Sequence, residues 1–138
     1  MNKQLGVFGV SKKRVFISFD YDHDDDIKML LAGQALHPDS PFDFKDASVK
    51  EHLSGDWKEK VRRRMSSIYV VIVLCGEWTH LASGVAHELS IARETATPYF
   101  LLAGRANKTC QMPTTALPSD KIYQWTWDNL KALIAGNR

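Results

Sequence analysis

Long hydrophobic runs are missing from this chain. Its purest apolar stretch, Tyr69-Val70-Val71-Ile72-Val73-Leu74, falls far short of the roughly 20 residues a membrane helix needs. The N-terminal MNKQLGVFGVSKKR holds a short apolar patch between basic residues, too short for a signal-peptide core. Cysteine is scarce. Cys75 and Cys110 form no C-x-x-C pair, and no Cys/His cluster has zinc spacing. A reduced, cytoplasmic protein without a membrane partner is expected. Charge of one sign is also lacking: the net charge is +2, too little to argue for nucleic acid. Neither G-x-G-x-x-G nor G-x-x-x-x-G-K-[ST] occurs, which excludes the usual dinucleotide and P-loop motifs. No G-x-S-x-G elbow marks a nucleophile. Repeats and low-complexity tracts are absent too.

What is present alternates. Val15–Phe19, Tyr69–Leu74, Pro98–Leu102 and Lys121–Trp125 are short apolar or aromatic runs, with a shorter one at Pro41–Phe44. Such runs suit strands buried on both faces of a parallel sheet. Between them lie helical patterns. Ile27, Leu30, Leu31, Gln34 and Ala35 mark a helix over 24–36. Trp57, Val61 and Met65 mark one over 56–67, with Asp56 and Glu59 spaced as a capping box. Further helices are expected over 83–95 and from Asp128 to Ala135. Residues 105–119, with two prolines and several Thr and Ser, suit a loop. The 138 residues fit one domain. Strands alternating with helices imply right-handed βαβ units. The expected fold is α/β, a flavodoxin-like three-layer sandwich with a five-stranded, mostly parallel sheet in the order 2-1-3-4-5.

Ligands of such sheets bind outside the carboxyl ends of the strands. That selects Phe19-Asp20-Tyr21-Asp22-His23, Phe44-Lys45-Asp46-Ala47-Ser48, Cys75-Gly76-Glu77-Trp78 and the helix that starts near Ser83 and carries Glu88. The run DYDHDDD at 20–26 is oxygen-rich, as magnesium and calcium sites are. Acids that offset a helix dipole explain it better, and no metal is expected. A phospho-receiver would need an aspartate where the third strand ends, and Leu74-Cys75-Gly76 has none. His23, His37, His52, His80 and His87 are scattered and suit polar surface. Lys58, Lys60, Arg62, Arg63 and Arg64 suit the solvated side of their helix. Glu88, from its own spacing, suits a first-turn acid facing the dipole.

Three stretches change that balance. RVFISFDYDHDD at 14–25 resembles the first strand and turn of TIR domains. FKDASVKEHLSGDWKEKVRRRMSSIYVVIVLCGEWT at 44–79 resembles the bacterial TIR-like family of the Thoeris anti-phage system. VAHELSIARETATPYFLL at 85–102 resembles that family's catalytic helix and following strand. The resemblance spans 14 to about 104, and residues 105–138 lie outside it. It implies a single TIR-like domain over 1–138, with its core at 14–104 and a loop, last strand and helix after it.

The resemblance also implies a function. Family enzymes cleave the nicotinamide–ribose bond of NAD, and some make an ADP-ribose signal nucleotide, cyclic in some cases, that activates a separate effector. NAD is then a substrate and no resident cofactor is needed. Glu88 matches the catalytic glutamate. Phe19, Tyr21 and Trp78 become candidate wall or stacking residues; Asp20, Asp46 and Ser48 become candidate ribose or pyrophosphate contacts. Many relatives carry a tryptophan four residues before the glutamate; Gly84 stands there here, and Trp78 is the candidate substitute. A non-catalytic TIR-like module, self-associating through Lys45–Ser48 and the basic helix, is the alternative. Homo-oligomer formation is open under either.

Overall fold

The computed structural model describes residues 12–48 and 55–138. Five strands form one sheet: β1 (Lys13–Ser18), β2 (Phe42–Ala47), β3 (Val70–Cys75), β4 (Tyr99–Ala103) and β5 (Ile122–Gln124). Their spatial order is β2-β1-β3-β4-β5, and every neighbouring pair is parallel. Four helices connect or follow them: α1 (Asp25–Gln34), α2 (Trp57–Met65), α3 (Ser83–Glu94) and α4 (Trp127–Ile134). A 3-10 turn at Thr79–Leu81 precedes α3. The fold is the α/β sandwich that the alternating pattern implies.

β3 shows why its sequence is so apolar. All six of its residues are buried. Val70, Ile72 and Leu74 face one core with Ile27 and Leu31 of α1 and Leu130 and Leu133 of α4. Val71, Val73 and Cys75 face the other with Val61 and Met65 of α2 and Val85 and Leu89 of α3. A strand with helices on both faces must be apolar at both phases of its period-two alternation. Burial also raises the Cys75 thiol pKa far above its usual range, so this cysteine packs as a small apolar group. Trp125 and Trp127 are partly buried against the first core. The Trp125 indole N–H donates to the Gln34 amide oxygen at 3.0 Å.

One helix start differs from expectation. Asp56 precedes α2 but makes no side-chain cap bond. Its carboxylate lies 3.7 Å from Lys60, and Glu59 pairs with Arg62 at 3.2 Å. Ion pairs along the helix have replaced the capping box. Between β1 and β2 the register shifts after Val15: Val15 pairs with Phe44, and Phe16 with Asp46. The extra residue, Lys45, interrupts the ladder as a bulge does. Among the described residues, no helix is long and apolar enough to cross a membrane.

Candidate active site

Glu88 is not a first-turn acid. The first turn of α3 contains none, and Glu88 sits in the second turn with only 3 % of its surface exposed. Three sequence-distant segments meet at its carboxylate. Ser18, the last residue of β1, donates its hydroxyl to Oε1 at 2.7 Å. Ser48, just past β2, donates to the same oxygen. Ser48 is fixed in turn: its N–H donates to the Ile17 carbonyl at 2.9 Å, and its Oγ accepts from the Phe19 N–H at 3.1 Å. The carboxylate is therefore held by the ends of two parallel strands.

Burial raises the Glu88 pKa to about 7. The two serine hydroxyls and the nearby Arg64 charge pull it down, and Asp46 pushes it up, so desolvation wins. A carboxyl group near 7 is ionised and protonated in comparable amounts at neutral pH, a setting suited to proton transfer.

A cavity of about 550 Å³ opens over this carboxylate, within the roughly 300–1,000 Å³ of small-molecule sites. Phe19, Asp20, Tyr21, Asp22 and His23 of the β1–α1 connection line it, and so do Ser48 and Glu88. The segment Leu81 to Val85 closes the side where α3 begins, with Gly84 in the wall. Five of the seven residues singled out from sequence thus share one cavity: Phe19, Asp20, Tyr21, Ser48 and Glu88.

Asp46 and Trp78 are placed differently. Asp46 does not line the cavity; its carboxylate accepts from the Arg64 guanidinium, Nε to Oδ2 3.1 Å, and Arg64 does line it. Trp78 is 47 % exposed and also outside the lining. Its ring stacks on His80 at 6.4 Å and lies 6.0 Å from His23. Trp57 of α2 does line the cavity, and its ring meets His87 edge-on at 5.7 Å.

Trp57, Lys60, Val61 and Arg64 are the residues that sequence reasoning missed, together with Ser18. The first four follow i, i+3, i+4, i+7 spacing, one helix face, and all line the cavity. Mixed apolar and cationic residues on one stripe were the available signal. Reading Lys60 and Arg64 with the solvated side concealed it.

The acidic run has its own explanation. Arg105, just beyond β4, donates to Asp24 at 3.0 Å, to Asp26 at 2.7 and 2.8 Å, and to the His23 carbonyl at 3.0 Å. His23 Nδ1 meets Asp20 Oδ2 at 2.7 Å. Among the described residues, no group of three or more His, Cys, Asp or Glu side chains is arranged to hold a metal ion.

Comparison with known families agrees with the fold. Residues 16–109 match the family model of the Thoeris protein ThsB, TIR-like domain. The chain belongs to that family. The match runs from the second half of β1 through β4 and contains Ser18, Ser48, Glu88 and the α2 stripe. No curated protein sequence matches this member of the family.

Proposed function

We propose that this ThsB-type TIR-like domain cleaves the nicotinamide–ribose bond of NAD, with Glu88 as the catalytic carboxylate, and converts the ADP-ribosyl group into a signal nucleotide, cyclic or otherwise, for a separate effector. The observation that carries the reading is the buried Glu88 carboxylate, held by Ser18 and Ser48 beneath a cavity of small-molecule size.

The chemistry suits one carboxylate. The C1′–N bond breaks with its electron pair passing to the pyridinium nitrogen, so nicotinamide leaves neutral and needs no acid. Positive charge develops on the ribose, as in other glycosyl transfers. An ionised Glu88 in a water-poor site stabilises that charge. The two serine hydroxyls fix its orientation, so little reorganisation is needed. Water or a hydroxyl then bonds to C1′ and passes its proton to Glu88 or to solvent, or a ring nitrogen bonds to C1′ through its lone pair. The cationic substrate itself favours the ionised carboxylate, offsetting the burial that raises its pKa.

The test is mass spectrometry of NAD incubated with the protein and with Glu88→Gln. Nicotinamide and an ADP-ribose derivative are expected only from the former, and the derivative's mass separates hydrolysis, cyclisation and conjugation. Full turnover by folded Glu88→Gln would remove Glu88 from the mechanism. Intact NAD, both with purified protein and in extracts of phage-infected cells expressing it, would favour a non-catalytic self-associating module.

A further inference from the structure

We propose that the cavity face of α2 holds the diphosphate and the base of a nucleoside diphosphate moiety, with Arg64 and Lys60 on the phosphates and Trp57 against the base. This deepens the NAD reading and rests partly on it.

Geometry supplies the order. A helix rises ~1.5 Å per residue, so Arg64 and Lys60 stand about 6 Å apart along the axis and Trp57 about 4.5 Å beyond Lys60. All three line the cavity that contains Glu88. Arg64 is paired with Asp46, two residues before the Ser48 that holds the Glu88 carboxylate, which puts the carboxylate at the Arg64 end. The wall therefore runs from anion to two cations to an aromatic plane. A nicotinamide ribose, a diphosphate and a purine present the complementary series in the same direction.

Neither cation is locked away from a ligand. Lys60 and Asp56 are 3.7 Å apart, and both side chains are more than half exposed, so water screens that pair and it gives way readily. Asp46 holds Arg64 by its Nε edge and so steadies the guanidinium. Arginine takes phosphate oxygens by paired N–H donors, and lysine takes them as a compact charge. Trp57 is half-buried and backed by the second core, which makes its ring a rigid surface for stacking a base.

The experiment is calorimetric titration of ADP and of adenosine into the full chain, Lys60→Gln, Arg64→Gln and Arg63→Gln, with thermal melts to establish folding. Each cation variant is expected to weaken ADP roughly tenfold or more, the scale of a lost charge-assisted hydrogen bond, and to leave adenosine unchanged. Arg63→Gln, which removes an exposed charge of the same helix outside the cavity lining, is expected to bind ADP as the parent does. ADP is also expected to quench tryptophan fluorescence in the parent and not in Trp57→Phe. Equal ADP affinity in the folded cation variants would overturn the proposal, and so would a parent chain that binds adenosine as tightly as ADP or does not bind ADP. NAD turnover measured alongside separates the two readings. Cation-dependent ADP binding without NAD cleavage keeps the subsite and removes the enzyme; cleavage with parental KM in the cation variants does the reverse.

Discussion

Replacing Glu88 by glutamine should make the protein more stable in alkaline solution while abolishing its activity. The carboxyl's pKa lies near 7 in the folded chain against 4.5 for an ordinary glutamate. Its folded value is the raised one, so its contribution to stability is fully present below about pH 4.5 and is lost as pH rises through 7. The difference of two and a half units, at ~1.36 kcal/mol per unit, amounts to about 3 kcal/mol. Glutamine keeps Oε1 as acceptor for Ser18 and Ser48 and carries no charge to bury. Glu88→Gln should therefore exceed the parent by about 3 kcal/mol at pH 8.5 and by only about 1 kcal/mol at pH 5. For a chain of this size the alkaline difference corresponds to a rise in Tm of about 10 °C. Thermal unfolding of both proteins at both pH values measures it. Other titrating groups are common to the two chains and cancel in the difference. A Glu88→Gln protein no more stable than the parent at pH 8.5 would refute the reasoning. The ionised carboxylate would then be well solvated or paired in the folded state, and its burial would carry no cost.

Three further outcomes follow from neighbouring contacts. If ionised Glu88 supports cleavage, kcat/KM for NAD should fall about tenfold per unit as pH drops well below 7 and level off above it; Ser48→Ala, which removes a donor that favours the ionised form, should move that limb to higher pH, and a pH–rate profile of each protein checks both. Arg105→Ala should destabilise the fold by about 3 kcal/mol, because it strips the cation from the buried Asp24 carboxylate. Urea unfolding measures that loss, and adding Asp24→Asn should restore part of it.

The fold was legible because burial leaves a mark on every residue of a strand. Val70 to Cys75 are apolar without a gap since both faces are covered, and the helices between strands carry single apolar stripes. The site was legible only where it coincides with strand ends. Phe19, Asp20, Tyr21 and Ser48 could be chosen by topology, because parallel sheets gather their ligand contacts there. Trp57, Lys60 and Arg64 could not. A stripe that faces a cavity looks, residue by residue, like a core stripe with solvated neighbours, and only the position of α2 over the cleft distinguishes them. Glu88 was placed by resemblance to a family. Its own spacing suited a surface acid, and its burial depends on hydroxyls forty and seventy residues away.

The acidic segment beside the cavity raises the hardest electrostatic question for a substrate that carries phosphates. Asp20, Asp22, Asp24, Asp25 and Asp26 crowd one turn and helix start, and a bare cluster would repel a diphosphate. The fold divides these charges. Asp24 and Asp26 turn toward Arg105, whose guanidinium they hold strongly enough to push its pKa above the usual arginine range. Asp25 pairs with Lys28 at 3.6 Å, and Asp20 meets His23. Asp22 and the partly compensated Asp20 are the carboxylates of this run that line the cavity, and they do so on the β1–α1 side. The cations enter from α2. Charge in the site is thus sorted by element: the β1–α1 connection and α3 bring carboxylates that suit a cationic ribose–pyridinium, and α2 brings the groups that suit phosphates. A ligand positive at one end and negative in its middle fits this division.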